Sequence, residues 1–434
     1  MLPTQEERRS EEARLRTEGP AGMPRSRALL IATAALVLGS SSAAKAGTKD
    51  EPEKNNNNNN KRRILSFGGN GMIGSEVLHQ LLHDDTSQEY DVVLVSRGSW
   101  PFDSEERIAP NVQSALVCDR KDGISNCPEL MTEVQSAEEY YAVLDFSAYR
   151  PEWVQDAVDL LRDKARVFVY VSTDSVYEVT ESPYYNLESK RRSVETDAVR
   201  PSDDAIREEL NEDDRYGDHK FGGEELLYAQ DAMPHVSLRF ADVLGPRDGT
   251  GRFVTYYAWI KFHRLKSVPN IAVPKDIAEA TSITYVEDAA QSILLAMDES
   301  NRDGWNASYN IACEEVFNVT SQIMSMGHMM GNHKIYPTKI RDLDLHVYPS
   351  VTKGPIEVTQ AKNILGFLPT PQEVALSRTI RWYDEWYKNN GEFRKEVVEE
   401  LISILDEMNG YDDSDEERQD AIDAMLAEVR KSAK

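Results

Sequence analysis

Short apolar runs alternate with amphipathic stretches through the middle of the chain. The runs predict strands at 63–67, 91–96, 115–118, 141–146, 166–171 and 236–240. Between them, apolar residues recur three and four positions apart, as in Val77, Leu78, Leu81 and Leu82, which predicts helices. Buried strands that alternate with helices are typical of a parallel, doubly wound α/β sheet. Such sheets bind ligands beyond the carboxyl ends of their strands, so functional residues are expected there.

The N-terminal segment has the character of a targeting signal. Arg25 and Arg27 precede an apolar stretch and the small-residue sequence Ala44-Lys45-Ala46. This order predicts a secretory-type leader over residues 1–46, cleaved near its end, with an organelle leader or a membrane anchor as alternatives. Such a leader implies the secretory pathway or an organelle lumen.

Composition narrows the class of protein. The 434 residues carry a net charge of −26 and are 40% hydrophobic, which is enough to fill a core. The acidic balance argues against a nucleic-acid binder, because neutralising phosphates requires clustered Lys and Arg. The chain has no run of about eighteen apolar residues, so no stable membrane span is expected.

Two further segments complete the predicted organisation of the chain. Residues 47–61, with six consecutive asparagines, predict a linker, and residues 391–434 predict an acidic helical tail.

The chain has three cysteines, too few for a disulfide scaffold. Cys118 and Cys127 are able to pair in an oxidising compartment, but a buried, free Cys118 on a strand is the favoured interpretation.

A glycine-rich turn follows the first predicted strand. The segment Gly68-Gly69-Asn70-Gly71-Met72-Ile73-Gly74 joins that strand to the first predicted helix. In this context Gly68 permits a tight turn, Gly71 lets the backbone approach a pyrophosphate, and Gly74 lets the helix pack on the strand. The helix N-terminus offers N–H groups and the positive end of its dipole to phosphates. The turn therefore predicts a dinucleotide-binding site.

The residues after the second predicted strand favour NADP over NAD. A site that prefers NAD places Asp or Glu there, about 20 residues after the glycine turn, to bind the ribose 2′-hydroxyl. This chain has Ser96-Arg97-Gly98 at that point and no carboxylate until Asp103. Arg97 is able to meet a 2′-phosphate with a charge-assisted bond, and the alternative is that it points to solvent.

A hydroxyl, a phenol and an ammonium group are predicted to meet beyond the fifth strand. Thr173 follows that strand, and Tyr216 and Lys220 lie four residues apart on one face of a later helix. A nearby ammonium lowers the pKa of a phenol, so Tyr216 suits acid and base work near neutral pH. Thr173 is placed to hydrogen-bond the same substrate oxygen. A second Tyr-x-x-x-Lys pair, Tyr257 and Lys261, is interpreted as core and surface of another helix.

Cofactor contacts are expected from the glycine turn, from the ends of the next three strands and from the catalytic helix. The expected residues are Gly68, Asn70, Gly71, Met72, Ile73, Gly74, Arg97, Asp119, Ser147, Tyr216 and Lys220. No metal is expected, because His79 and His83 lie four residues apart without an acidic or cysteine partner to complete a site.

Four segments give the chain a family resemblance. They are GGNGMIG at 68–74, STDSVY at 172–177, YGDHK at 216–220 and LRFADVLGPRD at 238–248. In order and context they resemble the extended short-chain dehydrogenase/reductases, the epimerase/dehydratase group. Later segments extend the similarity to about residues 62–390; they are TYVEDAAQSILLAM at 284–297, YNIACEEVFNV at 309–319 and AKNILGFLPT at 361–370.

The resemblance implies a domain organisation and a set of roles. It implies a Rossmann dinucleotide-binding domain mainly over 62–240 and a smaller C-terminal α/β substrate lobe mainly over 241–390. It also implies Thr173, Tyr216 and Lys220 as the catalytic triad, with Lys220 on the ribose hydroxyls of the coenzyme. Members of the group commonly dimerise through exposed helices, so the resemblance makes a homodimer one possible assembly, although the sequence itself does not fix the oligomeric state.

The chain departs from the group at positions that distinguish its substrates. Dehydratases of the group carry Asp-Glu after the catalytic threonine, where this chain has Asp174-Ser175. Nucleotide-sugar enzymes carry Asn where Asp242 stands, and Arg where Thr281 or Ser282 stands. These changes weaken a dehydratase interpretation and remove groups that bind a diphosphate.

The sequence therefore predicts an NAD(P)-dependent oxidoreductase or epimerase acting on a small molecule with a carbonyl or hydroxyl group. One alternative is a non-catalytic NAD(P)-binding scaffold or sensor. The other is an RNA-binding atypical member of the superfamily, against which the acidic charge and the lack of an aromatic and basic stripe argue.

Overall fold

The computed structural model describes residues 61–83, 89–275, 280–341, 343, 345, 347–410 and 416–432. The predicted leader, and the predicted linker apart from Lys61, lie outside the described residues, and both stay predictions. Among the described residues, no helix combines the length and the hydrophobicity needed to cross a membrane.

The described residues form strands and helices in alternation. The strands are β1 Arg62–Phe67, β2 Tyr90–Ser96, β3 Ser114–Val117, β4 Ala142–Asp145, β5 Phe168–Thr173, β6 His235–Phe240, β7 Asp242–Leu244, β8 Ala272–Pro274, β9 Ile283–Tyr285, β10 Ala307–Ile311 and β11 Thr338–Ile340. The helices are α1 Met72–His83, α2 Ser104–Ile108, α3 Pro128–Ser136, α4 Pro151–Leu160, α5 Asp204–Asp213, α6 Arg215–Ala229, α7 Arg252–Phe262, α8 Val286–Met297, α9 Val319–Met329, α10 Thr359–Leu365, α11 Gln372–Asn389, α12 Gly391–Asn409 and α13 Glu416–Ser432.

Seven parallel strands form the central sheet in the order β10-β6-β5-β4-β1-β2-β3. The six predicted strands correspond to β1 through β6, so the predicted parallel, doubly wound sheet is confirmed. The apolar run of β1 is buried because helices cover both faces of the sheet. The strand order reverses between β1 and β4, which opens a crevice at their carboxyl ends.

The chain returns to this sheet after leaving it at β6. Strand β10 pairs with β6 along its whole length, with Ala307 opposite Val236 and Ile311 opposite Phe240. Helix α8 packs against α1 on one face of the sheet. Part of the segment predicted as the substrate lobe, 241–390, therefore belongs to the central sheet layer.

The second lobe has its own core around α7, α11 and α12, together with the two-stranded pairs β7–β9 and β8–β11. The predicted C-terminal tail is helical, as α12 and α13, and α12 is part of this core. Val397, Leu401 and Ile404 of α12 are buried, and the Glu400 carboxylate accepts a hydrogen bond from Thr255 Oγ1 at 2.9 Å.

The cysteine expectation is wrong on one point. Cys118 is bonded to Cys127 in a disulfide, with their Cα atoms 5.7 Å apart. Two short turns, at 120–122 and 124–126, fold the loop after β3 back on itself and bring Cys127 to Cys118. Cys313 is buried and free.

Candidate active site

A tight glycine turn joins β1 to α1 near the centre of the sheet. Gly68 has a φ of 78°, a left-handed conformation that other residues rarely adopt. A Cβ added at Gly74 would lie 2.5 Å from the Cα of Gly69, so the helix approaches the turn too closely for any side chain. The two glycines thus have the geometry that a tight turn and close helix packing require.

The surface of the turn beside Gly71 is open. A Cβ added at Gly71 would meet only the carbonyl oxygen of Gly68, at 3.6 Å. The N–H groups of Met72, Ile73 and Gly74 lie in the first turn of α1, where an α-helix has no internal acceptors for them. Open space and donors at the positive end of a helix suit a pyrophosphate. These residues therefore fit the pyrophosphate of a dinucleotide.

The loop after β2 is tied to this turn. Arg97 is exposed directly after β2. The side-chain amide of Asn70 donates to the carbonyl of Ser99, which connects the loop to the glycine turn. The next carboxylate along the chain, Asp103, accepts a hydrogen bond from Arg247 Nη2 at 2.8 Å. Arg97 thus lies two residues before the contact with the glycine turn, and Asp103 is paired with Arg247.

Ser147 and Asp119 follow β4 and β3. A Cβ added at Gly68 would lie 2.9 Å from the Cβ of Ser147, so Ser147 lies against the glycine turn. Its Oγ accepts a hydrogen bond from Arg120 Nη1 at 3.3 Å. The Asp119 carboxylate accepts from the backbone N–H of Lys121 at 3.0 Å and caps its own loop. Ser147 therefore lies against the glycine turn. The hydrogen bond of Asp119 stays within its own loop and does not connect Asp119 to that turn.

Helix α6 begins beside the end of β5. The Asp214 carboxylate caps the helix by accepting from the N–H of Gly217 at 2.9 Å. A Cβ added at Gly217 would lie 2.3 Å from the carbonyl oxygen of Ser175, so the first turn of α6 rests directly on the turn after β5. Thr173 is the last residue of β5, and the half-buried Tyr216 precedes Gly217. The contact brings Tyr216 to the same end of the sheet as Thr173.

Lys220 is buried next to this contact. Its side chain is 1% exposed, and Nζ donates to the carbonyl oxygens of Ala148 at 3.0 Å and Val171 at 2.7 Å. The ring centroids of Tyr149 and Tyr170 lie 5.0 and 4.8 Å from the ammonium nitrogen. The ammonium is therefore held between the ends of β4 and β5.

Burial changes the protonation of Lys220. The cost of removing the ammonium from water lowers the pKa of Lys220 to about 7. The carboxylates of Asp145 and Glu224 raise this pKa, and the guanidinium of Arg120 lowers it further. Lys220 thus titrates near neutral pH, and a few buried neighbours set its charge.

Thr173 carries its hydroxyl beside a buried acid. Thr173 Oγ1 accepts from the N–H of Ser175 at 3.2 Å and donates to Asp174 Oδ1 at 3.4 Å, a long bond that leaves the hydroxyl able to turn to a substrate oxygen. Asp174 is 3% exposed, and its Oδ2 has no hydrogen-bond partner in the described parts of the chain. Burial, and then the carboxylates of Asp242 and Glu178, raise the pKa of Asp174 well above its ordinary value. This shift favours the protonated acid.

A buried carboxylate that the sequence analysis missed ties α6 to the sheet. Glu224 accepts hydrogen bonds from Ser172 Oγ at 2.5 Å, Ser308 Oγ at 2.8 Å and Arg239 Nη2 at 2.7 Å, on β5, β10 and β6. Burial alone would raise the pKa of Glu224, but these partners outweigh it and hold the pKa below its ordinary value. Glu224 lies four residues beyond Lys220, and that spacing on one helix face was the available signal.

The second Tyr-x-x-x-Lys pair lies in the core of the other lobe. Tyr257 Oη donates to Asp384 Oδ1 at 2.8 Å, and Lys261 Nζ donates to the same oxygen at 2.8 Å. Tyr257 is fully buried, and burial together with the Asp384 carboxylate raises its pKa. Its phenol therefore stays protonated and serves packing, as the sequence predicts.

The departures noted at Asp242, Thr281 and Ser282 lie in enclosed positions. The Asp242 carboxylate pairs with Arg252 and accepts from Ser350 N at 2.8 Å and Ser350 Oγ at 2.6 Å. Thr281 and Ser282 are 1% and 2% exposed. The charge of Asp242 is thus balanced within the protein, and none of the three supplies a cation for a diphosphate.

The histidine pair of α1 does not complete a metal site. The rings of His79 and His83 lie 4.3 Å apart, and burial lowers the pKa of His79. Within the described ranges, no group of three or more His, Cys, Asp and Glu side chains is arranged to hold a metal ion.

The family comparison covers this whole arrangement. The profile described as the NAD dependent epimerase/dehydratase family matches residues 64–312, more than half of the chain. The chain belongs to the NAD-dependent epimerase/dehydratase family. The matched range includes the glycine turn, the end of β5 and helix α6. Family membership supports an NAD-dependent enzyme of the epimerase/dehydratase kind.

Solved structures of epimerases and dehydratases share the fold of this family member. A UDP-glucose 4-epimerase from Thermotoga maritima, solved with UDP-glucose, gives a TM-score of 0.55 at 20% identity over 74% of this chain and 99% of its own. A dTDP-glucose 4,6-dehydratase from Bacillus anthracis, solved with NAD, gives a TM-score of 0.57 at 16% identity over 77% of this chain and 99% of its own. A UDP-glucuronic acid 4-epimerase from Bacillus cereus, solved with NAD, gives a TM-score of 0.55 at 19% identity over 75% of this chain and 99% of its own. No curated protein sequence matches the chain.

Proposed function

We propose that this family member is an NAD(P)-dependent oxidoreductase or epimerase that acts at a hydroxyl or carbonyl carbon of a small molecule. Thr173, Tyr216 and Lys220 are its proposed catalytic residues. The observation that carries the proposal is the close contact of Gly217 with Ser175, which seats Tyr216 at the sheet end that holds Thr173. The glycine turn that fits a dinucleotide lies at the same edge of the sheet.

Tyr216 is the proton donor and acceptor in this proposal. When a substrate hydroxyl is oxidised, the phenolate oxygen takes the hydroxyl proton, and when a carbonyl is reduced, the phenol gives it back. The coenzyme, when bound, supplies the exchange of a hydride with the substrate carbon. Thr173 Oγ1 donates to the same substrate oxygen and holds it near Tyr216.

Lys220 assists Tyr216 by charge and holds the coenzyme. An ammonium near a phenol favours the phenolate. The ammonium has three N–H groups, and two of them go to the carbonyls of Ala148 and Val171. In this proposal the third donates to a ribose hydroxyl of the coenzyme.

The proposed substrate class is supported by the side chains at positions 242, 281 and 282. The structural neighbours named above include proteins solved with UDP-glucose and with NAD. In this chain Asp242 is paired with Arg252, and Thr281 and Ser282 are buried hydroxyls. We therefore propose a substrate that does not depend on a diphosphate for binding.

The experiment has two steps. Mass spectrometry of the purified protein identifies any coenzyme that it carries, and a panel of compounds is then followed by the nicotinamide absorbance. The panel contains sugar nucleotides and simple secondary alcohols and ketones, with epimerisation followed by chromatography. Bound coenzyme with turnover supports the enzyme, whereas bound coenzyme without turnover over a wide panel supports a scaffold or sensor.

The coenzyme is proposed to be NADP, with Arg97 as the residue that binds its 2′-phosphate. Arg97→Ala is expected to weaken NADP binding by about 1.5–3 kcal/mol, the range for hydrogen bonds to charged groups. NAD lacks the phosphate, so its affinity is expected to stay nearly unchanged. Calorimetric titration of both coenzymes into both proteins measures the difference.

The NAD titration is the internal control for this prediction. A general loss of the cofactor turn would weaken both coenzymes alike. Equal affinities in the wild type, or equal losses in Arg97→Ala, would show that Arg97 does not bind the phosphate.

A further inference from the structure

The turn after β4 is built around one buried carboxylate. Asp145, the last residue of β4, is 0% exposed. Its Oδ1 accepts from the N–H groups of Ser147 at 3.0 Å and Ala148 at 2.9 Å. Arg120 Nη1 lies 2.7 Å from both carboxylate oxygens and donates to them. The carboxylate therefore fixes the path of the chain from β4 through Ser147 and Ala148.

This turn is the one that receives Lys220. The Ala148 carbonyl oxygen accepts from Lys220 Nζ at 3.0 Å and from the Tyr170 hydroxyl at 3.1 Å. The side chain of Ser147, one residue earlier, lies against Gly68. One carboxylate thus orders both a wall of the proposed cofactor turn and the carbonyl that binds the proposed catalytic lysine.

Arg120 is held in place from several sides. The Cys118–Cys127 disulfide closes the loop that carries it. Arg120 Nη2 donates to the carbonyl of Trp153, and the guanidinium carbon lies 4.9 Å from the ring centroid of Phe67. The guanidinium therefore has a fixed position beside Asp145.

The charged and titratable groups around Lys220 come from five neighbouring parts of the fold. They are Asp145 on β4, Tyr149 in the loop after it, Tyr170 on β5, Glu224 on α6, and Arg120 in the loop after β3. Tyr216 lies four residues before Lys220 on α6 and acts electrostatically on Tyr170. The two carboxylates favour the ammonium form of Lys220, and Arg120 opposes it. Asp145 and Arg120 therefore act on Lys220 with opposite signs.

We propose that Asp145, with its partner Arg120, is a positioning residue for Lys220. The Asp145 carboxylate holds the Ala148 carbonyl against the ammonium and supplies negative charge that keeps the ammonium protonated. Arg120 orients the carboxylate and moderates that charge. The inference rests on the proposed function, because the placement of Lys220 matters where Lys220 and Tyr216 serve proton transfer.

The test reads the protonation of Lys220 without coenzyme or substrate. The NMR signal of the lysine ε-carbons is titrated against pH in the wild type and in Lys220→Met, and the difference isolates Lys220 among the lysines. The same difference is measured in Asp145→Asn and in Arg120→Met backgrounds. Each variant is first shown to unfold cooperatively in urea.

The two variants are expected to shift the Lys220 titration in opposite directions. Asp145→Asn removes negative charge that favours the ammonium, so the titration midpoint of Lys220 is expected to fall by about one pH unit. Arg120→Met removes positive charge that opposes the ammonium, so the Lys220 midpoint is expected to rise.

The matched control is Glu76→Gln, which removes a carboxylate that pairs with Arg107 at 2.6 Å between α1 and α2. This variant is expected to leave the Lys220 titration unchanged. Shifts of opposite sign support the proposal; no shift, or two shifts of the same sign as loosening of the structure would give, overturn it. Opposite shifts in a protein without turnover would refute the proposed function alone, and turnover without the shifts would refute this inference alone.

Discussion

A Tyr216→Phe variant is expected to lose about two or more orders of magnitude in turnover while it keeps nearly its full affinity for coenzyme. The substitution removes one hydroxyl, and with it the group that moves the substrate proton. The glycine turn and the buried Lys220 remain in place. Turnover of the substrate found in the panel, together with a calorimetric coenzyme titration, measures both quantities.

Tyr257→Phe is the matched control for this prediction. Its phenol belongs to the same Tyr-x-x-x-Lys pattern but bonds Asp384 in the other lobe, so the variant is expected to retain turnover. Wild-type-like turnover in Tyr216→Phe would refute the assignment of Tyr216 as the acid and base.

A Glu224→Ala variant is expected to lower the free energy of unfolding by about 3–5 kcal/mol, the cost of breaking a buried ion pair by removing one partner. Arg239 would then keep a buried charge without its carboxylate, and the hydroxyls of Ser172 and Ser308 would lose their acceptor. Because these partners lie on three strands, the variant loses the hydrogen bonds that join α6 to the sheet. Urea denaturation followed by circular dichroism measures the loss.

Glu139→Ala is the control for Glu224→Ala. Glu139 pairs with Arg166 at 2.7 Å, but both side chains are about half exposed. An exposed pair of this kind contributes about 0–1 kcal/mol, so the variant is expected to change stability little. Similar losses in the two variants would contradict the special role given to Glu224.

Local patterns were sufficient to predict six of the seven strands of the central sheet and the place of the candidate site within it. Strands β1 to β6 are short apolar runs, and the glycine turn between β1 and α1 depends on neighbours within a few residues. The four-residue spacing of Tyr216 and Lys220 similarly fixes their common helix face. The apolar pattern ends at residue 171, but β5 continues to residue 173. Thr173 is therefore the last residue of the strand and not a residue that follows it.

The rest of the site depends on contacts between distant segments. Strand β10 carries the polar residues Ser308 and Asn310, and it is a strand because β6 supplies its hydrogen-bond partner. The ion pair between Arg120 and Asp145 joins residues that no periodicity connects. The disulfide of Cys118 likewise depends on two turns that fold its loop back. Such contacts follow from the folded chain, and a single sequence does not specify them.

The central claim is that the glycine turn binds a nicotinamide dinucleotide, which then lies next to the residues around Thr173. Calorimetric titration of both NADP and NAD into the wild type and into Gly71→Val tests this most directly. A side chain at Gly71 enters open space in the free protein, with the nearest atom 3.6 Å from its Cβ, yet it occupies the room proposed for the pyrophosphate. We expect saturable binding by the wild type, and an affinity at least about tenfold lower, or about 1.4 kcal/mol, in a Gly71→Val variant of unchanged stability. No binding by the wild type, or equal binding by the two proteins, would contradict the account.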